Sequence, residues 1–398
     1  MRSEMLRAAV MLSIANLLPF GFCADWNQQQ MITIPSSTDF GGGLSASGNT
    51  FVVIGDPGRT LYIYSRAALG VPWKVQQTIK SRTDMPITGG VLDGTLLVFG
   101  SIQYLPSKAI PKVHIFERSS IGHWAELQTL EFEDLYTGFS LSGNLLSVGH
   151  AQLGKPYNSG QPTLPGAVDI YARGTDGLFY KEATLKASDA SVADYFGVST
   201  SVHGDAVAVE ALQPSATSSG AVYVFRKVEG QWIEEVKLPK TSPLPNATGE
   251  PVLYKDWLAF RGLSADRTVP GISVYHRDAT DWNLVSTIGP TDRTRQVGIS
   301  NKLSLDDTRL VVGTYLARTS GNVASGAVEV YELASLKAAP DVVFPNTPQD
   351  EEKFGGEVAL ISGGVLISSR FRKEKAPQPS QGAIFYFGSA KRLTSPKQ

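Results

Sequence analysis

The chain has 398 residues, 42% hydrophobic and 18% charged, which supplies ample apolar material for a core and too little charge for a disordered chain. Its 36 Lys and Arg against 37 Asp and Glu give a formal net charge of −1, which excludes a global field for nucleic acid or an anionic membrane. One cysteine, Cys23, excludes a disulfide within the chain and any cysteine-based metal or redox motif.

At the N-terminus Arg2 and Arg7 precede an apolar run from Ala8 to Leu18, then Pro19, Gly21 and Cys23. That order of positive charge, apolar core and small residues reads as a secretory signal peptide over residues 1–23, with cleavage after Cys23 or after Ala24. Asp25 and the polar residues 27–30 end the run short of the roughly 20 apolar residues a spanning helix needs, which argues against the main rival reading, a plain membrane anchor. Lipidation of Cys23 would want Gly, Ala or Ser where Phe22 stands. The mature chain, 24–390 with a polar tail at 391–398, is therefore expected outside the cytoplasm, secreted or periplasmic, with cell-surface attachment open and no later membrane span.

An unpaired strand pattern at 26–34, led by Trp26, comes next. Beyond it one unit repeats. An apolar or aromatic third strand recurs as Leu61 to Tyr64, Val113 to Phe116, Val168 to Tyr171, Val222 to Phe225, Ile272 to Tyr275, Val328 to Tyr331 and Ile384 to Phe387, at intervals of 50 to 56 residues. Each is preceded by two strands joined at a tight turn, such as Ser47-Gly48-Asn49, Asp93-Gly94-Thr95 or His203-Gly204-Asp205, where Gly, Asn or Asp supplies positive φ. The second strands, such as Leu96 to Phe99, are nearly continuous apolar runs, the mark of strands covered on both faces. A fourth strand opens on Trp73, Trp124, Phe179, Trp232 or Trp282, placed to pack between blades. Four strands per period and seven third strands predict an all-β, seven-bladed β-propeller of antiparallel blades. The last blade lacks a fourth strand of its own, so the N-terminal strand should complete it and close the ring.

Phe40-Gly41, Phe196-Gly197 and Phe354-Gly355 at blade starts, the glycines at 55, 100, 149, 262 and 313 after second strands, and the Gly-Ala pairs beginning at 166, 220, 326 and 382 together resemble the FG-GAP repeats of integrin α-subunit-like propellers. The resemblance spans essentially the whole mature chain and implies a recognition or adhesion role with an extracellular glycan or protein ligand; the chain is expected to be monomeric. That family often carries an Asp-rich calcium loop, replaced here by tight turns; Asp306-Asp307 and Gly204-Asp205 are the nearest remnants. No metal or other cofactor is expected. Glu210 and Ser369 stand where the other second strands end in glycine.

No nucleophile elbow, phosphate loop or zinc-helix pattern occurs, so a binding module is expected ahead of an enzyme. The alternative is a polysaccharide lyase or hydrolase with a site assembled from several blades. Function should sit at the end bearing the second-to-third loops, 101–112, 150–165, 211–219, 263–270, 314–325 and 369–381, opposite the tight turns. The candidate binding residues there are Arg370, Arg372 and Lys373, with Arg261, Arg318 and His150; together with Arg267, Lys155 and Lys108 they would form a basic collar for an anionic ligand. Acids in the neighbouring connections, such as Asp134 and Glu351, could absorb that charge. Asn246-Ala247-Thr248 is a glycosylation sequon.

Overall fold

A computed structural model describes residues 26–34, 37–81, 85–106, 108–152, 164–192, 194–212, 220–240, 249–263, 270–289, 299–373 and 380–389. The leader, the tail and the sequon fall outside these residues. The described strands form seven separate four-stranded antiparallel sheets. Blades 1 to 6 are each built from consecutive strands. Blade 7 takes Phe354–Ile361, Gly364–Ser369 and Ala383–Ser389, and its outer edge is supplied by Trp26–Ile32, antiparallel to the third strand with Trp26 opposite Ser389. The N-terminal strand thus closes the ring, as the orphan pattern predicts.

The apolar residues divide into clusters that sit between sheets rather than within one. Val168 and Ile170 of blade 3 pack with Val207, Val209 and Phe196 of blade 4. Phe51, Val53 and Trp73 of blade 1 pack with Leu366, Ile384 and Tyr386 of blade 7. Each joint between neighbouring blades has such a cluster. This is how a long chain avoids splitting into domains: every sheet buries both faces against the next one round. It also explains second strands such as Thr50–Gly55, buried at every position.

Polar fasteners reinforce the joints at two radii. Near the rim, the side-chain amide of Gln77 in blade 1 accepts from Trp124 N–H at 3.0 Å and donates to Trp124 C=O at 2.8 Å. Gln128 does the same for Phe179 in the next blade, and Gln30 for Trp73 across the closure. In later joints a carboxylate takes the indole N–H instead: Glu182 from Trp232, Glu235 from Trp282 and Asp341 from Trp26. The repeated aromatic residues are thus inter-blade packing elements. Near the axis, serine hydroxyls of one inner strand accept a backbone N–H of the next: Ser45 from Leu92, Ser140 from Val202, Ser201 from Leu253 and Ser304 from Leu360.

Two sequence expectations change in detail. The predicted loop 101–112 is mostly strand, because Leu96–Tyr104 and Ala109–Arg118 continue as a paired ribbon with Tyr104 opposite Ala109. Blade 6 has a fourth strand of only three residues, Asp341–Val343, with no leading aromatic.

The Phe-Gly motif has a conformational reason. Gly41, Gly197 and Gly355 all have positive φ, and the residue before each phenylalanine, Asp39, Tyr195 or Lys353, is also left-handed, at φ 56°, 52° and 54°. The two left-handed residues bracket a phenylalanine that is essentially fully buried in each case. A left-handed non-glycine residue costs roughly 1 to 2 kcal/mol, which the buried ring offsets.

Candidate ligand-binding site

Counting back two residues from the inner-strand serine register gives Gly43, Gly89, Gly138 and Ser199 in blades 1 to 4, then Glu250, Lys302 and Glu357 in blades 5 to 7. One side of the axial funnel is therefore lined by small residues and the other by alternating charge. These charges open into a recess of about 470 Å³ at the loop-bearing end, lined by Glu250, Lys302, Tyr315, Lys353, Gly356, Glu357, Arg370 and Phe371. Volumes of roughly 300 to 1,000 Å³ are typical of small-ligand sites.

Glu357 accepts the backbone N–H groups of Gly43 and Leu44 at 3.0 and 2.6 Å, joining blade 7 to blade 1. Lys302 lies 3.8 Å from the Glu357 carboxylate, which holds its ammonium pKa above the usual lysine value, with Glu250 adding to the effect. Glu250 presents its side chain to the water inside the recess yet is ringed by protein. That enclosed setting raises its carboxyl pKa by desolvation, and Lys302 partly opposes the shift. Lys353 projects from its left-handed position over the Phe371 ring, 4.4 Å from the centroid, and lies 5.9 Å from that of Tyr315. Phe371 itself is 45% exposed.

Among the described residues, the basic residues nominated from the sequence do not assemble into a collar. Arg370 does line the recess, but its guanidinium is held by both carboxylate oxygens of Asp39 at 2.9 and 2.6 Å, which pushes its pKa up. Its stem crosses Gly41 and Gly42, where a Cβ would come to 3.3 and 3.6 Å. The glycine run after Phe40 therefore makes room for this arginine. Arg372 points inward: it is 6% exposed and donates to Glu352 at 2.6 Å and to the Thr347 hydroxyl at 2.8 Å. Burial and full engagement remove it from the solvent face. Lys373 is exposed at the rim, where its backbone N–H is taken by Gln349. Arg318 donates to the Asn322 carbonyl of its own loop at 2.6 Å. Arg261 is largely enclosed, and desolvation lowers its guanidinium pKa, with Tyr315 and Glu210 opposing. Lys108 is exposed in the short blade 2 turn, while Lys155 and Arg267 lie outside the described residues.

His150 is 5% exposed, beside Phe132 and 3.6 Å from Asp169, with neither ring nitrogen hydrogen-bonded to a described residue. Desolvation lowers its pKa against the pull of Asp169. The two replacements of the second-strand glycine are buried polar anchors. Glu210 receives the Ser199 hydroxyl at 2.6 Å, Gly249 N–H at 3.2 Å and the buried Lys240 ammonium. The Ser369 hydroxyl donates to Glu352, whose carboxylate also holds Arg372.

At the opposite end the funnel opens into about 670 Å³, lined by the tight turns and including Ser47, Asp93, Ser142, His203, Tyr254 and Asp307. Among the described residues no group of three or more His, Cys, Asp or Glu side chains is placed to hold a metal ion. Asp306 spends its carboxylate on its own turn, on Thr308 and Arg309 N–H, the Thr308 hydroxyl and the Arg309 guanidinium. No described helix is long and apolar enough to cross a membrane.

Sheet order, ring closure and a ligand-sized recess at the hub define the class, a seven-bladed β-propeller. The FG-GAP repeat family matches residues 179–225, from the fourth strand of blade 3 through the third strand of blade 4. With that match set in a ring of like blades, the chain is an FG-GAP-type propeller. No curated protein matches it in sequence. Among solved structures it is similar to a functionally unknown protein from Desulfotomaculum acetoxidans, at 12% identity over 79% of this chain and 86% of that one, with a TM-score of 0.48. An uncharacterized protein from Listeria monocytogenes matches at 9% identity over 86% and 94% of the two chains, TM-score 0.48. A chain from a structural and mechanistic study of two prolyl endopeptidases matches at 13% identity and TM-score 0.52, over 82% of this chain and 44% of that one. At such identities the likeness is one of fold alone.

Proposed function

We propose that this propeller is an exported recognition module that binds a glycan or protein ligand on its loop-rich face, with the recess between blades 5, 6 and 7 as the contact centre. The observation that carries the reading is the charged register position itself: glycine or serine in four blades and Glu250, Lys302 and Glu357 in the other three, converging on one recess with Tyr315 and Phe371. Aromatic faces beside a few fixed polar groups are the usual make-up of a site that stacks and orients a polar ligand. The leader-like sequence at 1–23 supports export.

A catalytic reading draws on one observation, that Glu250, with its raised pKa, shares the recess with a second carboxylate, Glu357. A glycan and peptide array probed with the wild type and with the Tyr315→Ala, Phe371→Ala double variant tests both readings. Hits lost from the variant support recognition at the recess. Hits of equal strength from both proteins overturn it, and shortened oligosaccharides after incubation replace it with the enzyme.

A further inference from the structure

The charges around the recess are not equally committed. Arg370 is taken by Asp39 through two hydrogen bonds, and Glu357 by two backbone N–H groups and the nearby Lys302. Two other groups lining the recess have no such partner among the described residues. The Glu250 carboxylate, in blade 5, forms no hydrogen bond or ion pair with the described residues, and its nearest electrostatic neighbour, Lys302, is already closer to Glu357. The Lys353 ammonium, at the start of blade 7, makes ring contacts with Phe371 and Tyr315 and no ion pair among the described residues. A carboxylate in the recess with no ion-pair partner of its own among the described residues, and an ammonium resting on an aromatic ring, leave one negative and one positive position for a ligand to complete.

We infer that the recess selects a zwitterionic ligand unit, with an ammonium group docking at Glu250 and a carboxylate docking at Lys353. The inference rests on the recess being the binding site, and it replaces the purely anionic ligand expected of a basic collar with one that carries both charges. An ammonium at Glu250 replaces hydration that the ringed setting has made poor, and forms a charge-assisted hydrogen bond of the stronger kind. A carboxylate at Lys353 draws the ammonium off the Phe371 ring, freeing that exposed face for the body of the ligand. The same pair of charges occurs on an amino-sugar acid and on a short peptide, so both are needed as probes.

Calorimetric titration of the full mature chain tests this with four sugars, namely muramic acid with both charges, glucosamine with the ammonium alone, glucuronic acid with the carboxylate alone, and N-acetylglucosamine with neither. The dipeptide Gly-Gly serves as the peptide arm. Muramic acid or Gly-Gly is expected to bind at least about tenfold tighter than either singly charged sugar, and which of the two binds identifies the source. Glu250→Gln should remove that advantage while leaving glucuronic acid binding unchanged, and Lys353→Met should do the reverse, leaving glucosamine unchanged. Circular dichroism checks that each variant is folded. Glucuronic acid binding as tightly as muramic acid, or an affinity order indifferent to Glu250→Gln, overturns the inference while the recess stands. No heat from any probe overturns the inference, and the recess reading falls with it if the array hits also survive the Tyr315, Phe371 double variant.

Discussion

Lys240→Met should be among the most destabilising single changes in the ring. The Lys240 and Glu210 side chains are 1% and 0% exposed, and they pair directly across blade 4. With the ammonium gone, Glu210 keeps the Ser199 hydroxyl and Gly249 N–H, two neutral donors for a full buried charge. Removing one partner of a buried pair typically costs about 3 to 5 kcal/mol, because the other charge stays behind desolvated. Replacing both partners removes the orphan, so the Glu210→Met, Lys240→Met double variant should recover most of that loss and could equal the wild type. Urea unfolding followed by tryptophan fluorescence reads the differences through shifts of the midpoint. A Lys240→Met cost below about 1 kcal/mol, or a double variant as unstable as the single, would refute the argument that an uncompensated charge is the cause.

Other consequences follow from the same geometry. Gly100→Ala would push a Cβ onto the Tyr136 hydroxyl and Thr88, so a loss of about 1 to 3 kcal/mol is expected in the same urea assay. Gln77→Ala removes both bonds to the Trp124 backbone and should cost about 1 to 2 kcal/mol, whereas Gln103→Ala, with no comparable inter-blade bond among the described residues, should cost little. Burial holds the folded pKa of His150 below its ordinary value of 6.5, so its contribution is complete above pH 6.5 and is lost as pH falls from there towards the folded value. His150→Leu should flatten the fall in stability as pH drops below 6.5, and an unchanged slope would show that His150 is not the group responsible. Deleting residues 26–32 should open blade 7, expose its third strand as an edge and produce aggregates that the undeleted chain does not form on size-exclusion chromatography.

Much of the fold is legible in the sequence because each blade repeats the same physical demand. A strand covered on both faces must be apolar throughout, a two-residue hairpin needs positive φ, and the third-strand anchors keep a period set by four strands and their connections. Ring closure was readable too, since Trp26 led a fourth strand with no sheet of its own. The site was legible only in part. Arg370 stood out within a basic run, but its partner Asp39 lies 331 positions away, and only the closure of blade 7 against blade 1 brings them together. Arg372 looked equally exposed because a run of charges does not show which side chain turns inward. Glu250, Lys302 and Glu357 carried a signal of a different kind: each occupies an axial register position that is small in the other four blades. The register becomes visible once the serine fasteners align the inner strands, and local bulges near the strand starts obscure it from sequence alone. Glu210 and Ser369 broke the second-strand glycine pattern, and the structure accounts for both as buried polar anchors rather than ligand contacts.

The most direct test is which end of the propeller a ligand protects. Hydrogen–deuterium exchange of the purified chain from residue 24 onward, with and without its strongest array hit, reads this peptide by peptide. Protection confined to segments carrying Glu250, Lys302, Tyr315, Lys353 to Glu357 and Arg370 to Phe371 is the predicted result. Protection instead around Asp93, His203, Tyr254 and Asp307, at the tight-turn end, would contradict it and move the site to the other mouth of the funnel.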